Sequence, residues 1–144
     1  MLKIATVLHP TDFSESSERA FGLACSLARD HGARVVVLHV YPPPLCHGEV
    51  VARRQPDSFE GELQKALERY QPPDLRVQVE HQLAEGEAAR EILRLAHEVN
   101  ADLIVLGTHG RTGLGRLLMG SVAEQVVRRA ECPVLTVKIP LKEG

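Results

Sequence analysis

A glycine-rich segment has the clearest chemical meaning in this chain of 144 residues. The aliphatic run 103–106 ends in Gly107 and Gly110, and nine residues later Gly120 and Ser121 open an amphipathic stretch. Glycine lets backbone N–H groups approach an anion because it has no Cβ and tolerates positive φ. A helix after Ser121 would add unpaired N–H groups and the positive end of its dipole. The segment therefore predicts a phosphate site, and so a nucleotide.

Two better-known phosphate motifs do not fit this segment. A Walker A loop needs Gly-Lys followed by Ser or Thr, and no such run occurs in the sequence. The dinucleotide fingerprint fails because 113–115 has no third glycine in place. Loose glycine patterns also serve plain turns. Arg111 and Arg116 favour the anion interpretation, since cations in the loop can screen phosphate charge.

The spacing Gly107-x2-Gly110-x9-Gly120-Ser121 resembles the nucleotide signature of the universal stress protein family. Segments 4–14, 35–40 and 132–137 are similar to the first, second and last strands of that family. The resemblance implies a single open parallel sheet of five strands in the order 3-2-1-4-5, with helices on both faces. This is a Rossmann-like α/β fold, akin to the adenine nucleotide alpha hydrolases. It also implies that the ligand is ATP, or ADP or AMP, with Mg²⁺.

The order of elements supports the same architecture. Strand-like runs at 3–9, 34–40, 75–83, 102–106 and 133–138 alternate with helical periodicity, which predicts a parallel sheet with right-handed crossovers. The second and fourth runs are apolar almost throughout and therefore central, whereas the third alternates as an edge strand does. In the implied order the winding reverses between the first and fourth strands. Ligands bind at such a reversal.

Asp12 follows the first strand and has two possible roles. Its carboxylate can accept hydrogen bonds from ribose hydroxyls, as the matching residue of the family does, or it can cap the next helix, for which Ser14 competes. The resemblance further implies that the backbone of Val40 meets the adenine edge. His109 reaches a phosphate or stabilises its own loop, and Arg111 reaches the terminal phosphates. The candidate contact residues are Pro10, Thr11, Asp12, Val40, Leu106, Gly107, His109, Gly110, Arg111, Gly120, Ser121 and Val122.

Composition indicates one globular domain, 1–144, with an irregular loop at 41–57 and a tail at 139–144. The chain is 44% hydrophobic with a net charge of −2, so disorder is excluded and nothing favours nucleic acid. No apolar run approaches the roughly 20 residues that cross a bilayer, and no signal segment is recognisable. Three scattered cysteines suit a reducing compartment, so we expect a cytoplasmic protein. Cys46-His47 lacks a second ligand pair, and no metal site is expected.

Three functions remain open at this stage. The first is a nucleotide-binding sensor or regulatory module without catalytic residues, acting on an unknown protein partner. The second is an enzyme, a slow ATPase or adenylyl-transferring relative, although the His-x-Gly-His and Ser-Gly-Gly-x-Asp signatures of such relatives are absent. The third is a dimeric interaction protein without nucleotide, against which the glycine motif argues. The resemblance implies a homodimer through the last strand, where Val134, Leu135 and Val137 would otherwise face water.

Overall fold

A parallel five-stranded sheet forms the centre of the computed structural model, which describes residues 3–43, 56–108 and 120–138. The strand order is β3-β2-β1-β4-β5, so the predicted topology is confirmed. The elements are β1 Thr6–Pro10, α1 Glu15–His31, β2 Arg34–Tyr41, α2 Pro56–Glu68, β3 Val79–Glu85, α3 Ala88–Glu98, β4 Leu103–Gly107, α4 Ser121–Arg129 and β5 Val134–Val137.

Two apolar clusters cover the two faces of this sheet. Successive side chains of a strand point to opposite faces, so Val35 and Val37 of β2 join one cluster while Val36 and Leu38 join the other. The first cluster holds the buried faces of α1 and α2, and the second holds those of α3 and α4. Helices therefore cover both faces, as predicted. All four of these β2 residues are buried, which agrees with a central strand.

The third strand begins later than its alternating sequence predicts. The strand is Val79–Glu85, whereas the pattern predicted 75–83, and Leu75 is 91% exposed. A local turn accounts for the difference. The Asp74 carboxylate accepts hydrogen bonds from the backbone N–H and the guanidinium of Arg76, and the Val77 N–H donates to the Asp74 carbonyl. These bonds compete with strand pairing.

The loop predicted at 41–57 is shorter in the structure. Tyr41 is the last residue of β2, and α2 begins at Pro56, so both ends of the predicted loop lie in regular elements. Residues 44–55 and the predicted tail 139–144 lie outside the described residues.

A fully buried histidine, His9, lies within β1 and packs between aromatic rings. Its ring centroid is 5.7 Å from that of Phe21 and 6.0 Å from that of Tyr70, and its Nδ1 lies 2.8 Å from the Val105 carbonyl oxygen. Among the described residues, Nε2 has no hydrogen-bond partner. Burial lowers the pKa of His9 from 6.5 to about 4, although the Val105 carbonyl and the Asp12 carboxylate both act to raise it.

This histidine should make stability depend on pH. The unfolded chain binds the proton below pH 6.5, while the folded chain does so only near pH 4. The unfolding free energy should therefore fall as the pH is lowered from 6.5 to about 4. The loss should total about 3 kcal/mol and be absent above pH 6.5. Urea titrations of wild type and His9→Gln, which has no titratable group at this position, measure it. The exposed His97→Gln is the control, and an equal slope in wild type and His9→Gln would contradict the assignment.

Candidate functional site

A cavity of about 260 Å³ opens at the carboxyl end of the sheet, beside the ends of β1 and β4. This is the point at which the strand order reverses, as the topology predicted. The described residues that directly follow these two strands, together with the starts of α3 and α4, form its walls. The lining residues are Pro10, Thr11, Asp12, Ser17, Leu38, Val40, Ala88, Ile92, Leu106, Gly107, Thr108, Gly120, Ser121, Val122 and Ala123.

Nine of the twelve residues predicted from the sequence line this cavity. The other three, His109, Gly110 and Arg111, lie outside the described residues. Six lining residues were not predicted: Ser17, Leu38, Ala88, Ile92, Thr108 and Ala123. Some of them had a signal in the sequence. Leu38 precedes Val40 by two on the same strand face, and Ala88 precedes Ile92 by four on one helix face.

The turn between β1 and α1 is held in an uncommon conformation. Phe13 has a φ of 66°, a left-handed backbone that is rare and costly for a bulky residue. The centroid of the Phe13 ring lies 4.4 Å from that of the His39 ring, and the backbone N–H of Phe13 donates to the Thr11 hydroxyl. The Thr11 hydroxyl in turn donates to the Tyr70 hydroxyl over 2.8 Å. Packing and hydrogen bonds on both sides therefore fix the turn that carries Asp12.

Of the two roles considered for Asp12, the structure gives the capping of α1 to another residue. Ser14 is the N-cap of α1, since its side chain accepts a hydrogen bond from the Ser17 N–H. Asp12 lies before the cap, and its Oδ1 accepts from the Ser14 N–H at 3.0 Å and from the Ser17 hydroxyl at 2.8 Å. The carboxylate is held at the cavity wall. It is also the only ionisable side chain among the described lining residues.

The backbone of Val40 faces the open end of β1. The Leu38 carbonyl faces β1, because it accepts a hydrogen bond from the Thr11 N–H at 2.8 Å. Backbone groups two residues apart on a strand point to the same side, so those of Val40 do too. Pairing with β1 stops at Pro10 opposite Leu38, whereas pairing with β3 continues through Tyr41. The N–H and C=O of Val40 therefore point into the space past the end of β1.

Gly107 is required by packing as well as by any ligand. A Cβ at this position would lie 2.8 Å from the carbonyl carbon of Ser16, in the first turn of α1. Ser16 is fully buried, and its hydroxyl donates to the Val137 carbonyl. The absence of a side chain at Gly107 thus lets α1 pack against the end of β4. The glycine spacing had predicted a role in anion approach alone.

The start of α4 presents backbone N–H groups to the cavity. Its N-cap is Gly120, which has no side chain with which to cap the helix, in contrast to Ser14 in α1 and Glu87 in α3. The Gly120 N–H donates to the Thr108 carbonyl, which ties the helix start to the end of β4. The first N–H groups of a helix lack partners within the helix and carry partial positive charge. This wall of the cavity therefore suits an anion.

The cavity combines three kinds of surface. Leu38, Leu106 and Ile92 form an apolar floor, Asp12 supplies an acceptor for hydroxyl groups, and the start of α4 supplies donors for an anion. Among residues 3–43, 56–108 and 120–138, no cluster of three or more His, Cys, Asp or Glu side chains could hold a metal ion. None of the helices in that part of the chain has the length and apolar character needed to cross a membrane.

Comparison with known proteins gives a consistent result. The model of the universal stress protein family matches residues 3–138. Universal stress protein MJ0531 of Methanocaldococcus jannaschii is 35% identical over 144 residues, covering 95% of this chain and 84% of that protein.

Two solved structures of high similarity contain nucleotides. One is a universal stress protein in complex with cAMP, with 30% identity and a TM-score of 0.68, covering 93% of this chain and 97% of that one. The other is the universal stress protein from Archaeoglobus fulgidus in complex with dAMP, with 28% identity and a TM-score of 0.64, covering 96% and 100%. Since both the family model and the relative extend over nearly the whole sequence, this chain belongs to the universal stress protein family.

Proposed function

We propose that this protein binds an adenine nucleotide, ATP or else ADP or AMP, and acts as a homodimeric sensor or regulatory module. The observation that carries the proposal is one cavity that joins an apolar floor, the Asp12 carboxylate and the uncapped start of α4. A nucleotide offers the matching groups, namely a flat base, sugar hydroxyls and phosphates. The similar structures with cAMP and dAMP support this choice, because both ligands carry adenine, a sugar and a phosphate.

Each part of the nucleotide has a proposed partner. The backbone of Val40 pairs with the adenine edge, over the apolar floor that includes Leu106. Asp12 accepts hydrogen bonds from the sugar. The phosphates lie against the backbone N–H groups of Gly107, Ser121 and Val122, together with the Ser121 hydroxyl. The sequence also assigned them the Gly120 N–H, but that group donates to the Thr108 carbonyl, so Gly120 contributes only close approach of the backbone. His109, Gly110 and Arg111, outside the described residues, are proposed to complete the phosphate site, and Pro10 and Thr11 its wall.

Mg²⁺ is proposed to bind together with the nucleotide, coordinated by its phosphates. Asp12 is the sole carboxylate among the described lining residues, and one carboxylate assigned to the sugar does not make a protein-held magnesium site.

Cys25 and Cys132 are free thiols, which agrees with the proposed cytoplasmic location.

Nucleotide binding is tested by titration calorimetry with ATP. Asp12→Ala should weaken binding by about 1–3 kcal/mol, the usual cost of losing a hydrogen bond to a charged group. Asp30→Ala is the matched control, because Asp30 lies at the far end of α1, is exposed and pairs with Arg29. Its affinity should equal that of wild type. Absence of heat from wild type with millimolar ATP would refute the binding proposal.

The site is proposed to hold ATP without turning it over quickly. Asp12 is the only ionisable group among the described lining residues, and it is assigned to the sugar, away from the terminal phosphate. His9 is fully buried among aromatic rings and does not line the cavity. The backbone N–H groups are proposed to hold the phosphates of the ground state, and no described lining residue is left to activate a water molecule. Binding of this kind lowers the free energy of bound ATP without accelerating its hydrolysis.

Hydrolysis should therefore be far slower than the roughly 1–10³ s⁻¹ usual for enzymes. Phosphate release is measured with purified protein, ATP and Mg²⁺, at ATP concentrations below saturation. Asp12→Ala serves as the contamination control, since an unrelated ATPase would be unaffected by this substitution. A rate near one per second that falls in the variant would make the protein an ATPase and overturn the sensor proposal.

The proposed dimer forms through β5, an edge strand of the described sheet. Leu135 is 37% exposed, while Val134 and Val137 are partly buried against the two core clusters. An edge strand presents unpaired backbone groups, and an apolar side chain beside them favours association with another strand. A second copy of the same strand across a two-fold axis satisfies both.

Leu135→Asp should shift the protein from dimer to monomer, because the interface would then bury two carboxylates. Multi-angle light scattering at tens of micromolar measures the mass. Leu75→Asp is the matched control, since Leu75 is 91% exposed and precedes the opposite edge strand, so this variant should remain dimeric. A monomeric wild type at this concentration would refute the dimer.

A further inference from the structure

We propose that Ser17 is a positioning residue that aims the Asp12 carboxylate at the sugar and thereby sets the preference for a hydroxyl-bearing sugar. The inference rests on the proposed nucleotide function. Ser17 lines the cavity yet is only 4% exposed. Its hydroxyl donates to Oδ1 of Asp12 at 2.8 Å and accepts from the backbone N–H of Asp12 at 3.2 Å. One side chain thus holds both the backbone and the carboxylate of the sugar-binding residue.

The direction of the Ser17 hydroxyl is fixed by its partners. A serine hydroxyl has one proton to donate and two lone pairs to accept with. The Asp12 N–H occupies one lone pair, and the Ser14 hydroxyl, 3.3 Å away, occupies the other. The single proton is left for the Asp12 carboxylate. The hydroxyl therefore acts as a dedicated donor to Oδ1.

Helix capping does not account for the Ser17 hydroxyl. The cap of α1 is the Ser14 side chain, which accepts from the backbone N–H of Ser17 and so needs only the Ser17 main chain. Removing the Ser17 hydroxyl would leave that cap in place. Its specific effect would fall on Asp12, whose Oδ1 would keep one donor, the Ser14 N–H.

Both of these hydrogen bonds to the Asp12 side chain are accepted by Oδ1. The second oxygen, Oδ2, is therefore the one that can accept from sugar hydroxyls. An aspartate χ2 angle has a broad, shallow preference, so a carboxylate with a single donor rotates more freely. Loss of the Ser17 hydroxyl should weaken the contact with the sugar while leaving the base and phosphate contacts unchanged.

The experiment compares the affinities of ATP and 2′,3′-dideoxy-ATP by calorimetry. Their ratio reports the sugar hydroxyls alone, because the base and phosphates are common to both ligands. Ser17→Ala should reduce the wild-type preference for ATP by about three- to tenfold, the range expected for the loss of one ordinary hydrogen bond, because the sugar contact is weakened and not removed. Ser17→Cys keeps the shape of the side chain with a somewhat larger, weakly donating thiol, and should give a similar reduction. In an Asp12→Ala background, Ser17→Ala should leave the ratio unchanged.

Leu23→Gly is the structural control, since a glycine at this exposed position inside α1 destabilises the same helix but keeps the hydroxyls of Ser14 and Ser17. It should lower the unfolding midpoint while preserving the ratio. A reduction as large as that of Ser17→Ala would mean that general loosening of α1 causes the effect, and the proposal would fall. The proposal would also fall if wild type prefers ATP and both Ser17 variants keep that preference. The proposed nucleotide binding would stand in that case. Wild type that binds neither ligand would overturn the proposed function and this inference together.

Discussion

The parallel pairing of β1 with β4 at the centre of the sheet determines where a ligand can bind. Asp102 anchors the start of this pairing, since its Oδ2 accepts hydrogen bonds from the N–H groups of Ala5 and Thr6. Beyond the other end of the pair, α1 packs on one face of the sheet and α4 on the opposite face. Chains that leave adjacent strands in opposite directions necessarily leave a gap between them. The cavity occupies that gap.

Several contacts serve the fold and the site at once. The missing side chain of Gly107 admits Ser16 and the first turn of α1, and the same glycine lines the cavity. Thr11 continues the pairing of β1 with β2, donates to Tyr70 and forms part of the cavity wall. The left-handed Phe13 packs against the rings of His39 and Tyr70, which keep it in place. Because these residues cannot move independently, the site is built before any ligand arrives, which favours binding.

What the sequence could predict was set by the range of the interactions involved. The alternation of strands and helices follows from periodicity, which is repeated over many residues, whereas the strand order was implied by the family resemblance. The location of the site follows from the two together. The start of β3 was misplaced because one carboxylate, that of Asp74, formed a turn where the alternation of apolar residues continued. Ser17 was overlooked, and the capping role of Asp12 stayed open, because both depend on the position of a single hydroxyl. A hydrogen bond made by one hydroxyl group leaves no periodic pattern in the sequence.

The charge distribution of the cavity would favour one orientation of the proposed nucleotide. Asp12 repels phosphate, whereas the uncapped start of α4 attracts it, and these two groups line the same cavity. A nucleotide placed the other way would set phosphate oxygens against a carboxylate and leave the helix N–H groups without an anion. Both errors would occur in a partly apolar enclosure, where electrostatic interactions are stronger than in water. Asp12, the one carboxylate among the lining residues that the structure describes, is proposed to contact the sugar and would therefore also exclude the reversed ligand. This second effect does not require it to form a hydrogen bond.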